Sequence, residues 1–278
     1  MSVSRPRVTI LLAALALLVC YASTLRGMAR QWWTDEDMGY GFVVPFVIAW
    51  IVWNERTRWR KLPIRGTAWG FMVLAAAACL QIASSFGAGL FAASVALVLS
   101  LAGVVLATLG FAWLRAWAFP LVLMLFMLPK LAIVYNQITL PLQLLATRLA
   151  GGMLSAAGFM VVRDGNILNV AGHSISVVEA CNGIRYLLPL AFLALVFAYV
   201  GGARAWVRVV MMAAAIPIAI VANAVRVAFS GLSPMLTSGV LHALLGTLIF
   251  LVCLGLLAAI YRLLAQVPSY NRSCKKLT

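Results

Sequence analysis

Acidic residues are scarce in this sequence, and charged residues of either sign are few. The 278 residues include 6 Asp and Glu and 21 Lys and Arg, and 65% of them are hydrophobic. Soluble globular domains usually carry about 25% charged residues, whereas this chain carries 10%. This composition excludes a soluble domain. The apolar residues come in long runs, which predict a polytopic membrane protein.

The positive charge is not gathered in one region. The net charge is +15, but no contiguous basic domain exists, so we do not expect nucleic-acid binding. The densest cluster, Arg56–Arg65, lies in a short loop, where the positive-inside rule applies best. It predicts that both termini are cytoplasmic. Most of the acidic residues then fall on the outer side of the membrane.

The hydropathy pattern predicts about eight transmembrane helices in one domain, residues 1–278. The first follows Arg5 and Arg7 without a convincing cleavage site, so we expect a retained anchor rather than a signal peptide. The predicted spans are Val8–Leu25, Gly41–Trp53, Thr67–Phe86, Leu90–Gly110, Trp117–Leu128, Gly183–Val200, Val209–Phe229 and Val240–Ile260.

One external stretch, Pro129–Cys181, is long enough to hold structure of its own. Its first half, Asn136–Ala157, has leucines at helical spacing with polar residues such as Gln143 and Thr147 between them, which predicts an interfacial amphipathic helix. Its second half is rich in β-branched residues, and Asp164-Gly165 is a turn signal, which together predict a small β-hairpin. The fold class is therefore an all-α polytopic membrane protein with this external hairpin.

Several motifs that would define a function are missing. The sequence has no HExxH or CxxC spacing, no GxGxxG and no P-loop, so we expect neither a metal nor a cofactor. It also lacks the chain of intramembrane carboxylates that many proton-coupled transporters need. A transporter is thus a weaker hypothesis than an enzyme.

Cys181 is distinguished from the other four cysteines by its position. Cys20, Cys79 and Cys253 lie inside apolar spans, and Cys274 lies in the basic tail. Cys181 precedes a span that starts on the outer side, where the helix N-terminus stabilises a thiolate. Arg185 is four residues further on, on the same helical face. The alternative is an incidental interfacial thiol.

Two other spans bring polar groups to the same depth. Arg226 lies near the outer end of its span with Asn223 one turn before it, and His242 opens the last span. A thiol, an imidazole and a guanidinium form a complete set for acyl transfer. A snorkelling arginine and a structural histidine are the alternatives. His173, in the predicted hairpin, is a weaker candidate.

These residues resemble the exosortase family, the multi-spanning membrane cysteine transpeptidases of Gram-negative bacteria, to which archaeosortases are related. The similarity covers most of the chain. Its most specific part is Glu179-Ala-Cys-Asn-Gly-Ile-Arg185, in which Asn182 stands where serine is frequent. Further parts are Gly41-Phe-Val-Val-Pro45, Phe119-Pro-Leu, Leu128-Pro129, Gly165-Asn166-Ile, Asn223-Ala-Val-Arg226 and His242.

The resemblance implies a catalytic trio of Cys181, Arg226 and His242. It also implies membrane-anchored substrates that end in a Pro-Glu-Pro motif, a transmembrane helix and a basic tail. Cleavage at the motif would precede transfer to a cell-surface acceptor, often linked to exopolysaccharide. The second hypothesis is a non-catalytic membrane component of exopolysaccharide assembly or export. The supporting or substrate-binding candidates are Arg185, Glu179, Asn223 and Asn182.

Overall fold

The computed structural model describes residues 5–170, 173–177, 183–237 and 239–266. The predicted site residues Glu179, Cys181 and Asn182 lie outside these ranges, as does Cys274. The chain divides into two compact units, Met1–Leu131 and Ala132–Thr278. The single domain expected over residues 1–278 stays a prediction.

The described part of the first unit contains seven α-helices. They are α1 (Arg5–Cys20), α2 (Ala22–Thr34), α3 (Val43–Trp59), α4 (Trp69–Ala83), α5 (Gly89–Thr108), α6 (Phe111–Ala116) and α7 (Ala118–Met124). The 3₁₀ turns Gly39–Phe42 and Leu125–Met127 precede α3 and follow α7. Helices α4 and α5 approach closely at Gly70, where a Cβ would lie 2.3 Å from the backbone nitrogen of Ala107. Small residues allow such backbone contact between membrane helices.

A buried ion cluster joins the segment before α3 to the segment after α7. Lys130 Nζ lies 2.8 Å from a carboxylate oxygen of both Asp35 and Asp37. Burial by itself lowers the pKa of Lys130, but the hydrogen bonds and charges of the two carboxylates outweigh it and raise the pKa above its ordinary value. Trp32 Nε1 also donates to the carbonyl oxygen of Met127 at 3.1 Å.

The second unit begins with a long helix, continues through a small sheet and ends with three helices. Its elements are α8 (Ala132–Ala156), β1 (Val161–Asp164), β2 (Ile167–Val170), β3 (His173–Ser176), α9 (Ile184–Val200), α10 (Ala205–Leu232) and α11 (Gly239–Gln266). Helix α10 packs against α8, α9 and α11. A 3₁₀ turn, Pro234–Leu236, lies between α10 and α11.

The described sheet has three antiparallel strands in the order β1-β2-β3. The predicted hairpin corresponds to β1 and β2, and the prediction missed the third strand. Asp164 pairs with Ile167 around the two-residue turn that the Asp-Gly signal predicted. The third strand pairs with β2 from Val170↔His173 to Ile167↔Ser176. One face of the sheet joins α8 and α10 in a core of Ala146, Ala150, Leu154, Leu168, Val170, Val177, Val227 and Ala228.

Helix α8 is present, but the interpretation of its amphipathic face is wrong. Gln143 and Thr147, which were expected on the polar outer face, are buried at 6% and 0% exposure, whereas Leu140 is 55% exposed. Thr147 donates its hydroxyl to the Gln143 carbonyl oxygen at 2.7 Å, so its polar group is satisfied within the helix. A helix surrounded by lipid can turn its leucines outward and bury small and polar residues against other helices.

Four helices in the described ranges are long and apolar enough to cross a membrane: Trp69–Phe86, Gly89–Thr108, Ala205–Leu232 and Gly239–Gln266. Two bent pairs, Leu12–Cys20 with Ala22–Thr34 and Ala118–Met127 with Ala132–Ala156, raise the number to six if each pair is one span. The eight expected spans are not confirmed. One physical reason is length, because α3 and α9 each have 17 residues, fewer than the roughly 20 that a span needs.

Candidate active site

Arg226 is a buried cation in the last third of α10. Its side chain is 4% exposed, and Asn223, one turn earlier on the same helix, is 2% exposed. Among the described residues no carboxylate forms an ion pair with Arg226. A buried charge is costly unless a partner compensates it, so this position favours an anionic or electron-rich group beside the guanidinium.

His242, in the first turns of α11, supplies one such partner. Its Nε2 lies 2.5 Å from Arg226 Nη2, and its Nδ1 lies 2.7 Å from the carbonyl oxygen of Leu236. Arginine has only donors, so Nε2 accepts and the ring proton is on Nδ1, which donates to Leu236. The contacts thus assign a neutral imidazole whose lone pair points at the guanidinium.

The turn between α10 and α11 fixes the imidazole from the other side. The Leu236 carbonyl oxygen also accepts a hydrogen bond from Ser230 Oγ at 3.1 Å. One backbone carbonyl therefore links the end of α10 to the start of α11. This arrangement holds the His242 ring in one tautomer and one orientation, as second partners of catalytic histidines do.

Helix α9 contributes an aromatic face. The Arg226 Cζ atom lies 5.6 Å from the centroid of the Tyr186 ring, within the range of a cation–π contact. Tyr186 is 4% exposed, so the contact is shielded from solvent. Gly246, one turn after His242 on α11, faces both groups: a Cβ there would lie 3.3 Å from Tyr186 Oη and 3.7 Å from Arg226 Cζ.

The start of α9 is fixed against α10 by a glycine. Gly183 has φ +86° in the left-handed region, where residues with a Cβ are rarely found. A Cβ at this position would also lie 3.2 Å from the Asn223 Cβ. Gly183 immediately precedes α9 and lies two positions after Cys181 in the sequence. Asn223 therefore packs next to the start of α9, two positions from the cysteine in the sequence.

The structure brings together Arg226 and His242, and it places Asn223 one turn from them. Arg185 is half-buried in the first turn of α9, next to Tyr186. His173 begins β3, and its side chain lies outside the description, as do Glu179, Cys181 and Asn182. Sequence reasoning missed Tyr186 and Gly246. The signal for Gly246 was available, because it lies four residues after His242 and so shares its helical face.

Most of the chain is similar to one known protein family. Residues 32–259 match the transmembrane exosortase family (Exosortase_EpsH), which is more than half of the chain. The chain belongs to the transmembrane exosortase family. No curated protein and no solved structure matches it.

The exosortase family is generally peptidase-like, and the matched range contains Arg226, His242, Tyr186 and Gly246. Its apolar helices and its family identify this exosortase as a multi-pass membrane protein. The site places a guanidinium donor beside an imidazole, and the Arg226 side chain that carries the donor is buried.

Proposed function

We propose that this exosortase is a cysteine peptidase or transpeptidase whose nucleophile is Cys181. The observation that supports the proposal most strongly is the buried Arg226–His242 pair beside the entry of α9. Cys181 and Gly183 are two positions apart in the sequence, so their α-carbons are at most about 7.6 Å apart. Gly183 contacts Asn223, which precedes Arg226 by three residues, or about 4.5 Å along a helix.

The proposed reaction begins when the Cys181 thiol gives its proton to His242 Nε2, the nitrogen that carries the lone pair. The thiolate then attacks a peptide carbonyl carbon, and the carbonyl π electrons move to the oxygen. Arg226 stabilises this oxyanion with its N–H groups. The hydrogen bond from Arg226 Nη2 to His242 Nε2 in the substrate-free site has to break before Nε2 can take the thiol proton, which also releases Nη2.

Collapse of the tetrahedral intermediate breaks the carbon–nitrogen bond. The leaving amine takes the proton from His242 Nε2, while Nδ1–H stays bound to the Leu236 carbonyl oxygen. The product is a thioester on Cys181. Water then gives hydrolysis and an acceptor nucleophile gives transpeptidation, with His242 as the base in either case.

The proposed substrates are membrane-anchored proteins with a C-terminal sorting tail, namely a Pro-Glu-Pro motif, a transmembrane helix and a basic segment. The acceptor would be a surface molecule associated with exopolysaccharide. An arginine suits the motif's glutamate, because a guanidinium pairs bidentately with a carboxylate. Arg185, half-buried next to Tyr186, is the proposed partner of that glutamate. Glu179 and Asn182 are proposed to support the nucleophile.

Trapping the thioester tests this function directly. We expect the purified protein in lipid nanodiscs to convert a sorting-tail substrate to a hydroxamate when neutral hydroxylamine is the acceptor, with the released tail as the second product. In a parallel sample without hydroxylamine, mass spectrometry of a proteolytic digest should show the acyl group on the peptide that contains Cys181. Cleavage without hydroxamate, or an acyl group elsewhere, would contradict the thioester route. If the protein does not cleave the substrate, and cells that carry Cys181→Ala still assemble exopolysaccharide, the alternative of a non-catalytic component of exopolysaccharide assembly is favoured.

The proposed location is the inner membrane, with both termini in the cytoplasm and the site facing the periplasm. In variants that keep a single cysteine, a membrane-impermeant maleimide added to intact spheroplasts should label Cys181 and leave Cys274 unmodified. Lysed membranes are the control, because there both thiols should react. Labelling of Cys274 but not Cys181 in intact spheroplasts would reverse the orientation.

A further inference from the structure

Gly246 leaves a notch in α11 at the site. A Cβ on this residue would lie 3.3 Å from Tyr186 Oη and 3.7 Å from both Cζ and Nε of Arg226. The first distance is tighter than ordinary van der Waals contact, so the Tyr186 hydroxyl would have to shift by a few tenths of an ångström. The missing side chain therefore creates a space bordered by an aromatic residue and a buried cation.

Glycine is frequent in membrane helices, where small residues let neighbouring groups approach closely, so the neighbours of each glycine indicate what its missing side chain does. Gly255, two and a half turns further along the same helix, serves as a comparison. A Cβ on Gly255 would meet no atom within 4 Å. Of these two glycines, only Gly246 leaves room for neighbouring groups by the absence of its side chain.

The notch lies beside a donor with no acceptor among the described residues. Arg226 Nη2 donates to His242, whereas the buried Nε–H makes no hydrogen bond. Leaving a buried charged donor without an acceptor costs more than a typical hydrogen bond contributes. An oxygen atom that enters the notch would lie within reach of this N–H.

We propose that the Gly246 notch holds the oxyanion of the acyl-transfer reaction, and that Tyr186 positions the Arg226 guanidinium toward it. The inference rests on the proposed function and adds two residues to it. The Tyr186 ring, 5.6 Å from Cζ, restrains the plane of the guanidinium. Gly246 keeps the space in front of Nε free for the carbonyl oxygen of the substrate.

Filling the notch separates catalysis from stability. Gly246→Ala is expected to lower kcat for sorting-tail processing about 10-fold or more, with KM changed less than about 2-fold, because about 1 Å of misplacement can cost 100-fold. Its thermal unfolding temperature should equal or exceed that of wild type, since alanine favours the helix. Gly255→Ala, the matched control, should keep both kinetic constants within about 2-fold.

The tyrosine variants test the positioning role independently. Tyr186→Phe keeps the ring and should retain kcat within about 3-fold, whereas Tyr186→Leu should lose about 10-fold or more. Tyr199→Leu is the control, because Arg208 lies 5.1 Å from the Tyr199 ring at the other end of the same helix pair. That variant loses an equivalent contact away from the site and should process at the wild-type rate.

Cys181→Ala, measured in parallel, separates failure of this inference from failure of the proposed function. If the wild-type protein processes the substrate and Cys181→Ala does not, the proposed function is upheld. A normal kcat in Gly246→Ala would then overturn only the proposal that the Gly246 notch holds the oxyanion. Equal losses in Tyr186→Phe and Tyr186→Leu would overturn positioning by the ring. Processing by Cys181→Ala would overturn the function itself.

Discussion

Cys181→Ala is expected to abolish processing of the sorting-tail substrate while the protein still accumulates in the membrane. Removing a nucleophile that acts together with its base can cost about 10⁶-fold in kcat, so the product should fall below detection. The accumulation is expected because this substitution removes a single sulfur atom and keeps the described core residues that α8, the sheet and α10 contribute. Quantitative immunoblotting of substrate and enzyme in the same membranes measures both effects.

The control for this variant is a cysteine of the same chain outside the site. Cys79 lies in α4 of the first unit and Cys253 is buried in α11, so Cys79→Ala and Cys253→Ala should process normally. Cys181→Ser is a further comparison, because a hydroxyl is a much weaker nucleophile than a thiolate at neutral pH. Normal processing by Cys181→Ala would remove the basis of the acyl-enzyme mechanism.

The helices could be predicted because hydropathy reports the local environment of a segment, but the number of spans could not. An apolar composition indicates that a segment avoids water. It does not indicate that the segment crosses a membrane as one straight helix. The first predicted span, Val8–Leu25, illustrates this limit. In the structure the chain bends by 62° between Leu12–Cys20 and Ala22–Thr34, so the apolar run and the helix ends do not coincide.

The external region shows a second limit. The Asp164-Gly165 signal identified the first turn of the sheet because this pair suits a two-residue hairpin loop. The third strand follows Val170 without a comparable turn signal, and only pairing with β2 reveals it. In α8 the helical periodicity was predicted correctly, but the buried face was not. Gln143 is buried and shares a face with Ala146 and Ala150, which pack in the core with α10 and the sheet.

At the site, Arg226 and His242 could be predicted from the sequence, whereas the contacts of Tyr186 and Gly246 could not. Arg226 and His242 are rare residue types in apolar spans, so their presence at one predicted depth indicated a shared site. Tyr186 and Gly246 are common in membrane helices, and only their contacts with Arg226 distinguish them. Spacing places Gly246 on the face of α11 that carries His242, but only the structure shows that its missing Cβ borders the Arg226 guanidinium.

Arg226→Lys is expected to lower kcat roughly 100-fold or more, although the positive charge is kept. A loss of this size is typical when a hydrogen-bond donor to an oxyanion is removed. Arginine at this position meets three groups at once: Nη2 contacts His242, Cζ lies over the Tyr186 ring, and Nε borders the Gly246 notch. A lysine ammonium is a single point charge without a planar fork, so it cannot satisfy all three in one conformation. Steady-state cleavage in nanodiscs measures the loss.

Arg208→Lys is the matched control, because Arg208 lies on the same helix over the Tyr199 ring, away from His242. It should process within about 2-fold of wild type, since exchange of one cation for another at a distant position changes neither the net charge nor the site.

Combining Arg226→Lys with His242→Ala should cost less than the product of the two separate losses, because both changes remove the same hydrogen bond. If Arg226→Lys and Arg226→Ala both process normally, the guanidinium is not the oxyanion donor, and Arg185 at the start of α9 becomes the better candidate.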